Sequence, residues 1–268
     1  MDKKLLLKVT DLNIVFHDHL IPETAVEDVD FELEEGGILG IVGESGSGKS
    51  MTAHAISGLL NRHDMKKKGE ILFEDKNLLS CSRNELRQIQ GRNIGIVFQE
   101  PMTALNPVKK IGWQVGEALR IHTQLSKEEI YAKVIEMLGK VELDQPKEVY
   151  NKYPHELSGG QRQRVCIAAA MICEPKLLIA DEPTTALDVT IQAQIIDLLK
   201  DMNRKQHTAI LFISHDLSLV KSLCERVIVM KKGLIVEQGD TEEIFNNPQN
   251  EYTKMLVSAI PEIKPKNK

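Results

Sequence analysis

The octapeptide Gly43-Glu44-Ser45-Gly46-Ser47-Gly48-Lys49-Ser50 limits the fold more than any other stretch of this chain. It has the form G-x-x-x-x-G-K-S. A glycine-rich turn of that spacing aims successive backbone N–H groups at clustered anionic oxygens without interference from Cβ atoms. Lys49 adds a point charge for β- and γ-phosphate oxygens, and Ser50 offers a hydroxyl to Mg2+. Such a loop needs a strand to deliver it and a helix whose positive N-terminal end faces the phosphates. Gly37–Val42 is a short apolar run of buried-strand type, and Met51–Leu60 is compatible with the helix. The expectation is an α/β nucleotide-binding protein.

Three further apolar runs end in polar groups. Asn93–Phe98 leads to Gln99, Leu177–Ala180 to Asp181-Glu182, and Thr208–Ile213 to Ser214-His215-Asp216. In α/β proteins ligands collect at the carboxyl ends of the strands, so the three runs point to one place. A strand-terminal Asp181 suits a metal ion. Glu182 suits proton abstraction from water, provided it turns out of the strand's alternation to face the same side. His215, after the third run, shares that logic. A second glycine turn, Leu157-Ser158-Gly159-Gly160-Gln161, opens a helix over 162–172, with Ser158 as its cap. Two helix starts of this type in one chain invite a shared anion.

The rest of the pattern supplies the frame. Leu5–Phe16 and Ala25–Leu33 alternate as antiparallel strands with one wet face, and Phe16 offers a ring for stacking on a nucleotide base. Met65–Gly69 reads as a basic turn into a strand over Glu70–Phe73. The two prolines of Glu100–Pro107 forbid a continuous helix there. Ile111–Tyr153 is helical in pattern, with a capping box at Ser126-Lys127-Glu128-Glu129, and Trp113 near its start reads as a packing residue. The chain is thus expected to be one domain over 5–260, with a helical lobe over about 99–160 inserted into its α/β core and a polar tail at 261–268. A net charge of −5 gives no overall drive toward nucleic acid. The four cysteines form no C-x-x-C pair, which suits a reducing compartment. No apolar run approaches the roughly 18 residues of a membrane span, so any membrane role is expected through a partner.

Taken together, these residues resemble the ATP-binding cassette of ABC transporters over about 5–260. Gly43–Ser50 resembles the Walker A loop, Gln99 the Q-loop glutamine, Leu157–Gln161 the LSGGQ signature and Leu177–Glu182 Walker B. Ala186-Leu187-Asp188 resembles the D-loop and His215 the switch histidine. The wording of Gly40–Ser50 and Phe98–Pro107 is similar to the D-type ATPase subunit of the oligopeptide/dipeptide/nickel importers. That resemblance implies a P-loop core of ABC type with an antiparallel β subdomain and an inserted α-helical subdomain. It implies ATP and Mg2+, and a second ATPase subunit, an F-type companion or a second copy. It also implies two membrane permeases at the cytoplasmic face of the membrane and an extracytoplasmic binding protein. Peptide-importing D subunits carry a C-terminal extension with a cysteine cluster, which this chain, ending soon after Ile260, is expected to lack; its length is closer to the nickel and metal-chelate members.

The resemblance also implies residue roles. Gly43, Ser45, Gly46, Gly48, Lys49 and Ser50 would hold the phosphates, with Phe16 on the base. Ser50, Asp181 and Gln99 would serve the metal, Glu182 would activate water, and His215 would support the γ-phosphate. Ser158, Gly159, Gly160, Gln161 and Asp188 would complete the ATP site of a second cassette. The contrasting expectation is a soluble ABC-type ATPase acting on DNA or ribosomes, against which the single cassette and acidic balance weigh.

Overall fold

The computed structural model describes residues 4–17, 22–60, 64–185 and 187–260; the expected tail at 261–268 and Ala186 of the D-loop stretch lie outside the described residues. Alternating side chains place Leu5–Phe16 (β1) antiparallel to Glu23–Glu34 (β2). Ile38–Val42 (β3) is buried throughout and runs through the phosphate-loop stretch into Lys49–Ile56 (α1). That helix stops four residues short of the expected Leu60, at a Ser57-Gly58 turn.

Met65–Phe73 (β4) corrects the reading of Met65–Gly69 as a turn. Met65, Lys66, Lys67 and Lys68 pair with Phe16, Val15, Ile14 and Asn13 of β1. A lysine-rich stretch that pairs on one side with β1 and is not reached by the short strand that follows resists pairing with other chains, and a charge-based reading cannot tell that from a solvated turn. Lys76–Asn77 (β5) completes a sheet of order β2-β1-β4-β5. Arg83–Ile89 (α2) leads to Ile94–Val97 (β6).

After β6 come five helices without an intervening strand: Pro101–Ala104 (α3), Ile111–Val115 (α4), Glu117–His122 (α5), Lys127–Lys140 (α6) and Pro146–Asn151 (α7). The capping box of α6 is present. Ser126 Oγ accepts from Glu129 N–H at 3.2 Å, and Glu129 Oε2 accepts from Ser126 N–H at 2.7 Å. Ser126→Ala is expected to destabilise the chain by about 1 kcal/mol, read as a lower urea midpoint at unchanged slope. Trp113 is not a core residue. It is 42% exposed, with Lys109 Nζ 4.9 Å and Arg120 Cζ 4.7 Å from its ring centre. Within the Glu100–Pro107 loop, Leu105 is buried while Met102 is exposed.

Gly159–Met171 (α8), Leu177–Asp181 (β7), Val189–Gln206 (α9), Ala209–Ser214 (β8) and Leu217–Leu223 (α10) follow. The hairpin Arg226–Lys231 (β9) and Leu234–Asp240 (β10) precedes Thr241–Asn246 (α11) and Glu251–Ser258 (α12). The large sheet has the order β10-β9-β3-β8-β7-β6, and every neighbouring pair except β10 with β9 is parallel.

Because a strand's side chains alternate, the parallel strands feed two apolar clusters. Ile38, Val42, Leu178, Ala180, Ile210 and Phe212 face the one shared with α8, α9, α10 and the helices after β6. Leu39, Ile41, Leu177, Ile179, Leu211 and Ile213 face the one shared with α1 and the antiparallel sheet. Among the described residues, no helix is long and apolar enough to cross a membrane.

Candidate functional site

The parallel register brings the carboxyl ends of β3, β6, β7, β8 and β9 to one edge. β3 delivers Gly43, whose φ of +151° and close approach admit no side chain: a Cβ there would lie 2.2 Å from Met230 O. Gly48, at φ +100°, caps α1. Lys49 is buried at the base of the loop, its Nζ donating to Gly43 O and Glu44 O at 2.8 Å each. Burial lowers its pKa from the ordinary lysine value, against the raising pull of Glu182, Asp181 and Glu44.

Ser50 Oγ donates to Asp181 Oδ1 at 2.9 Å. Burial lifts the Asp181 carboxyl above its usual range, opposed by the Ser50 bond and by His54, whose Nε2 lies 3.7 Å from Oδ2. A hydroxyl and a carboxylate brought together at the foot of a phosphate-type loop are the hard oxygen ligands that Mg2+ takes, so the donor set fits that ion.

Glu182 leaves β7 in the left-handed region, at φ +46°, with its N–H donating to Ile213 O at 2.9 Å. That conformation costs on the order of 1 kcal/mol for a residue with a Cβ, and it turns the side chain out of the strand's alternation. One oxygen, Oε2, then accepts from Gln99 Nε2 at 3.0 Å and Thr185 Oγ1 at 2.9 Å, and lies 3.1 Å from His215 Nδ1. The ends of β6, β7 and β8 therefore meet at one atom.

A cavity of about 370 Å³ is lined by the loop from Ser45 to Met51 together with Gln99, Glu182 and Lys232. Phe16 stands outside that lining, though it pairs with Glu23, which forms part of the wall.

Ser158, Gly159, Gly160 and Gln161 do not line this cavity; Gly159 borders a separate groove that includes Gln99, Met102, Arg162 and Thr185. Ser158 Oγ accepts from Gln161 N–H at 3.3 Å and Gln161 Oε1 from Ser158 N–H at 2.9 Å, so both side chains serve their own helix start. Asp188 Oδ1 likewise caps α9 by accepting from Ile191 N–H at 3.0 Å.

Three participants escape a reading of the sequence. Thr185 shares the Glu182 oxygen. His54 sits beside Asp181, and its i, i+4 spacing from Ser50 on α1 is a signal that could have found it. Tyr252, from α12, reaches the phosphate-loop stretch with no local sign.

Residues 26–185 match the ABC transporter family, and 236–268 match the C-terminal region of oligopeptide/dipeptide transporters. The second match begins inside β10. The chain is 49% identical over 257 residues to the oligopeptide transport ATP-binding protein OppD of Bacillus subtilis, covering 96% of this chain and 72% of that one. It is 45% identical over 258 residues to OppD of Escherichia coli, covering 96% and 76%. Among solved structures, the dimeric post-hydrolysis state of the ATP-binding cassette MJ0796, bound to ADP and Pi, has a TM-score of 0.80 at 29% identity, covering 88% of this chain and 99% of that one. The cbiO1 subunit of the cbiONQ ABC transporter complex of Clostridium perfringens has a TM-score of 0.77 at 31% identity, covering 91% and 92%. Nothing in these matches supports an ATPase acting on DNA or ribosomes. The chain belongs to the ABC transporter family, as an ATP-binding and ATP-hydrolysing subunit.

Proposed function

We propose that this ATPase powers uptake of peptides through partner permeases, with Glu182 as the group that activates water. The observation that carries the catalytic reading is the convergence of Gln99, Thr185, Glu182 and His215 on one carboxylate oxygen beside Lys49. Gly43, Ser45, Gly46 and Gly48 shape the loop for the phosphates, and Lys49 exchanges its two carbonyl partners for β- and γ-oxygens. Ser50, Asp181 and Gln99 would hold Mg2+, which would supply charge neutralisation for the phosphates. Glu182 takes a proton from the attacking water, while His215 stabilises charge on the γ-phosphate. Phe16, one strand pairing beyond the cavity wall, stacks on the base.

Because Ser158, Gly159, Gly160 and Gln161 do not line their own chain's cavity, they serve a second cassette packed head to tail, and Asp188 serves it with them. A closed two-fold or pseudo-two-fold pair then encloses two nucleotides. The partner is an F-type subunit, and the pair sits at the cytoplasmic face of the membrane under two permeases supplied by an extracytoplasmic binding protein. The helices over 99–160 form the lobe that meets the permeases, and Met102 is the exposed apolar residue of the loop joining Gln99 to that lobe. The peptide cargo rests on the similarity to oligopeptide transport ATP-binding proteins and on the matched region 236–268.

The complete complex in proteoliposomes tests this reading. ATP-dependent accumulation of a labelled oligopeptide is expected, with Met102→Asp lowering uptake at least about tenfold while hydrolysis continues. Accumulation of nickel or a metal chelate without peptide would reassign the cargo, and hydrolysis with no uptake of either would overturn the transport reading.

A further inference from the structure

We infer that Tyr252 is a positioning residue for the phosphate loop, and that the C-terminal helix α12 is thereby part of the nucleotide site. Its hydroxyl accepts a hydrogen bond from Glu44 N–H at 3.1 Å, across 208 residues of sequence. The carbonyl of the same peptide unit, Gly43 O, accepts from Lys49 Nζ at 2.8 Å. One amide plane is therefore held on one side by Lys49 and on the other by Tyr252.

That arrangement has a consequence when ATP binds, and it rests on the reading that Lys49 turns to the phosphates. Lys49 then gives up Gly43 O, and Tyr252 remains as a side-chain hold on the Gly43–Glu44 plane. Rotation of that plane would move the start of the loop on which the phosphate donors depend. The backbone bond from Gly233 N–H to Ser47 O, at 3.0 Å, fixes only the later part of the loop.

The tyrosine is itself well seated. It is 6% exposed, and Lys231 Nζ lies 4.5 Å from its ring centre. Asn250 Oδ1 caps α12 by accepting from Tyr252 N–H at 2.9 Å. The carboxylate of Glu237, on β10, accepts from the N–H groups of Gln249 and Asn250 at 2.7 and 3.1 Å, which fixes the entry to the helix. Burial pushes the phenol above its usual range.

Tyr252→Phe keeps the ring and its packing and removes only the hydroxyl. In the assembled complex the variant is expected to raise KM for ATP about two- to tenfold, the range of one neutral hydrogen bond, with kcat within about twofold of wild type. Its nucleotide-free melting temperature should fall by no more than about 5 °C, the cost of one neutral hydrogen bond, which separates positioning from loss of fold. Equilibrium binding of ATP to the full chain should weaken by the same factor as KM rises. Lys49→Ala measured alongside keeps the outcomes distinct. If it abolishes binding while Tyr252→Phe binds ATP as wild type, the tyrosine's role is refuted and the phosphate-loop reading stands. If Lys49→Ala also binds ATP normally, the loop reading fails and takes this inference with it.

Discussion

Glu182→Gln is expected to lower steady-state ATP turnover at least about a hundredfold while leaving ATP affinity within about threefold of wild type. The amide has the shape of the carboxylate but cannot accept a proton at neutral pH. Its orientation is dictated by its surroundings. Gln99 Nε2 and Thr185 Oγ1 both donate to the Oε2 position, so the variant places its oxygen there and points its NH2 group away. The loops should therefore stay in register, and the defect should fall on kcat rather than on binding. Phosphate release from the assembled complex measures the first, and equilibrium binding of ATP the second. An ATP-loaded pair should also outlive the wild-type pair on size exclusion. Turnover close to wild type would remove Glu182 from its role as base.

Lys49→Ala should produce the opposite pattern, a loss of binding. ATP at a hundred times its Kd stabilises a folded chain by about 2.7 kcal/mol. For a protein of this size that corresponds to a rise in Tm of roughly 5–10 °C. In the variant that rise should vanish. Two opposing effects act on the nucleotide-free protein. The substitution leaves Gly43 O and Glu44 O without their ammonium partner, yet it also relieves the burial that depresses the lysine's pKa. Stability without ATP should therefore change much less than the ATP-dependent increment, which differential scanning fluorimetry with and without ATP and Mg2+ separates. An undiminished rise in Tm would show that the phosphates are held elsewhere.

The strand-terminal residues were legible in the sequence for a specific reason. Buried parallel strands read as unbroken apolar runs, so the polar residues that follow each run stand out, and Gln99, Asp181, Glu182 and His215 are all among them. Parallel register then puts them on one edge without further information. Where an inference relied on residue type alone, it was weaker. Trp113 is hydrophobic enough for a core, but α4 is only 5 residues long, and the ring lies outward between Lys109 and Arg120. Met65–Gly69 has the charge of a turn and the conformation of a strand, because only pairing with β1 decides between them. Tyr252 and Thr185 act through contacts whose partners the local pattern does not name. Tyr252 in particular depends on the hairpin β9–β10 and the Glu237 clamp to carry α12 to the loop.

The three-way junction at Glu182 Oε2 makes the strand ends mutually informative. A small torsional change in one glutamate side chain alters, in the same instant, what the glutamine leading to the lobe, the threonine preceding the α9 cap and the histidine after β8 each find at their tips. If Glu182 takes the role proposed for it, loss of the terminal phosphate would need no relay across the protein to be felt in three directions: the news would already be shared at a single atom.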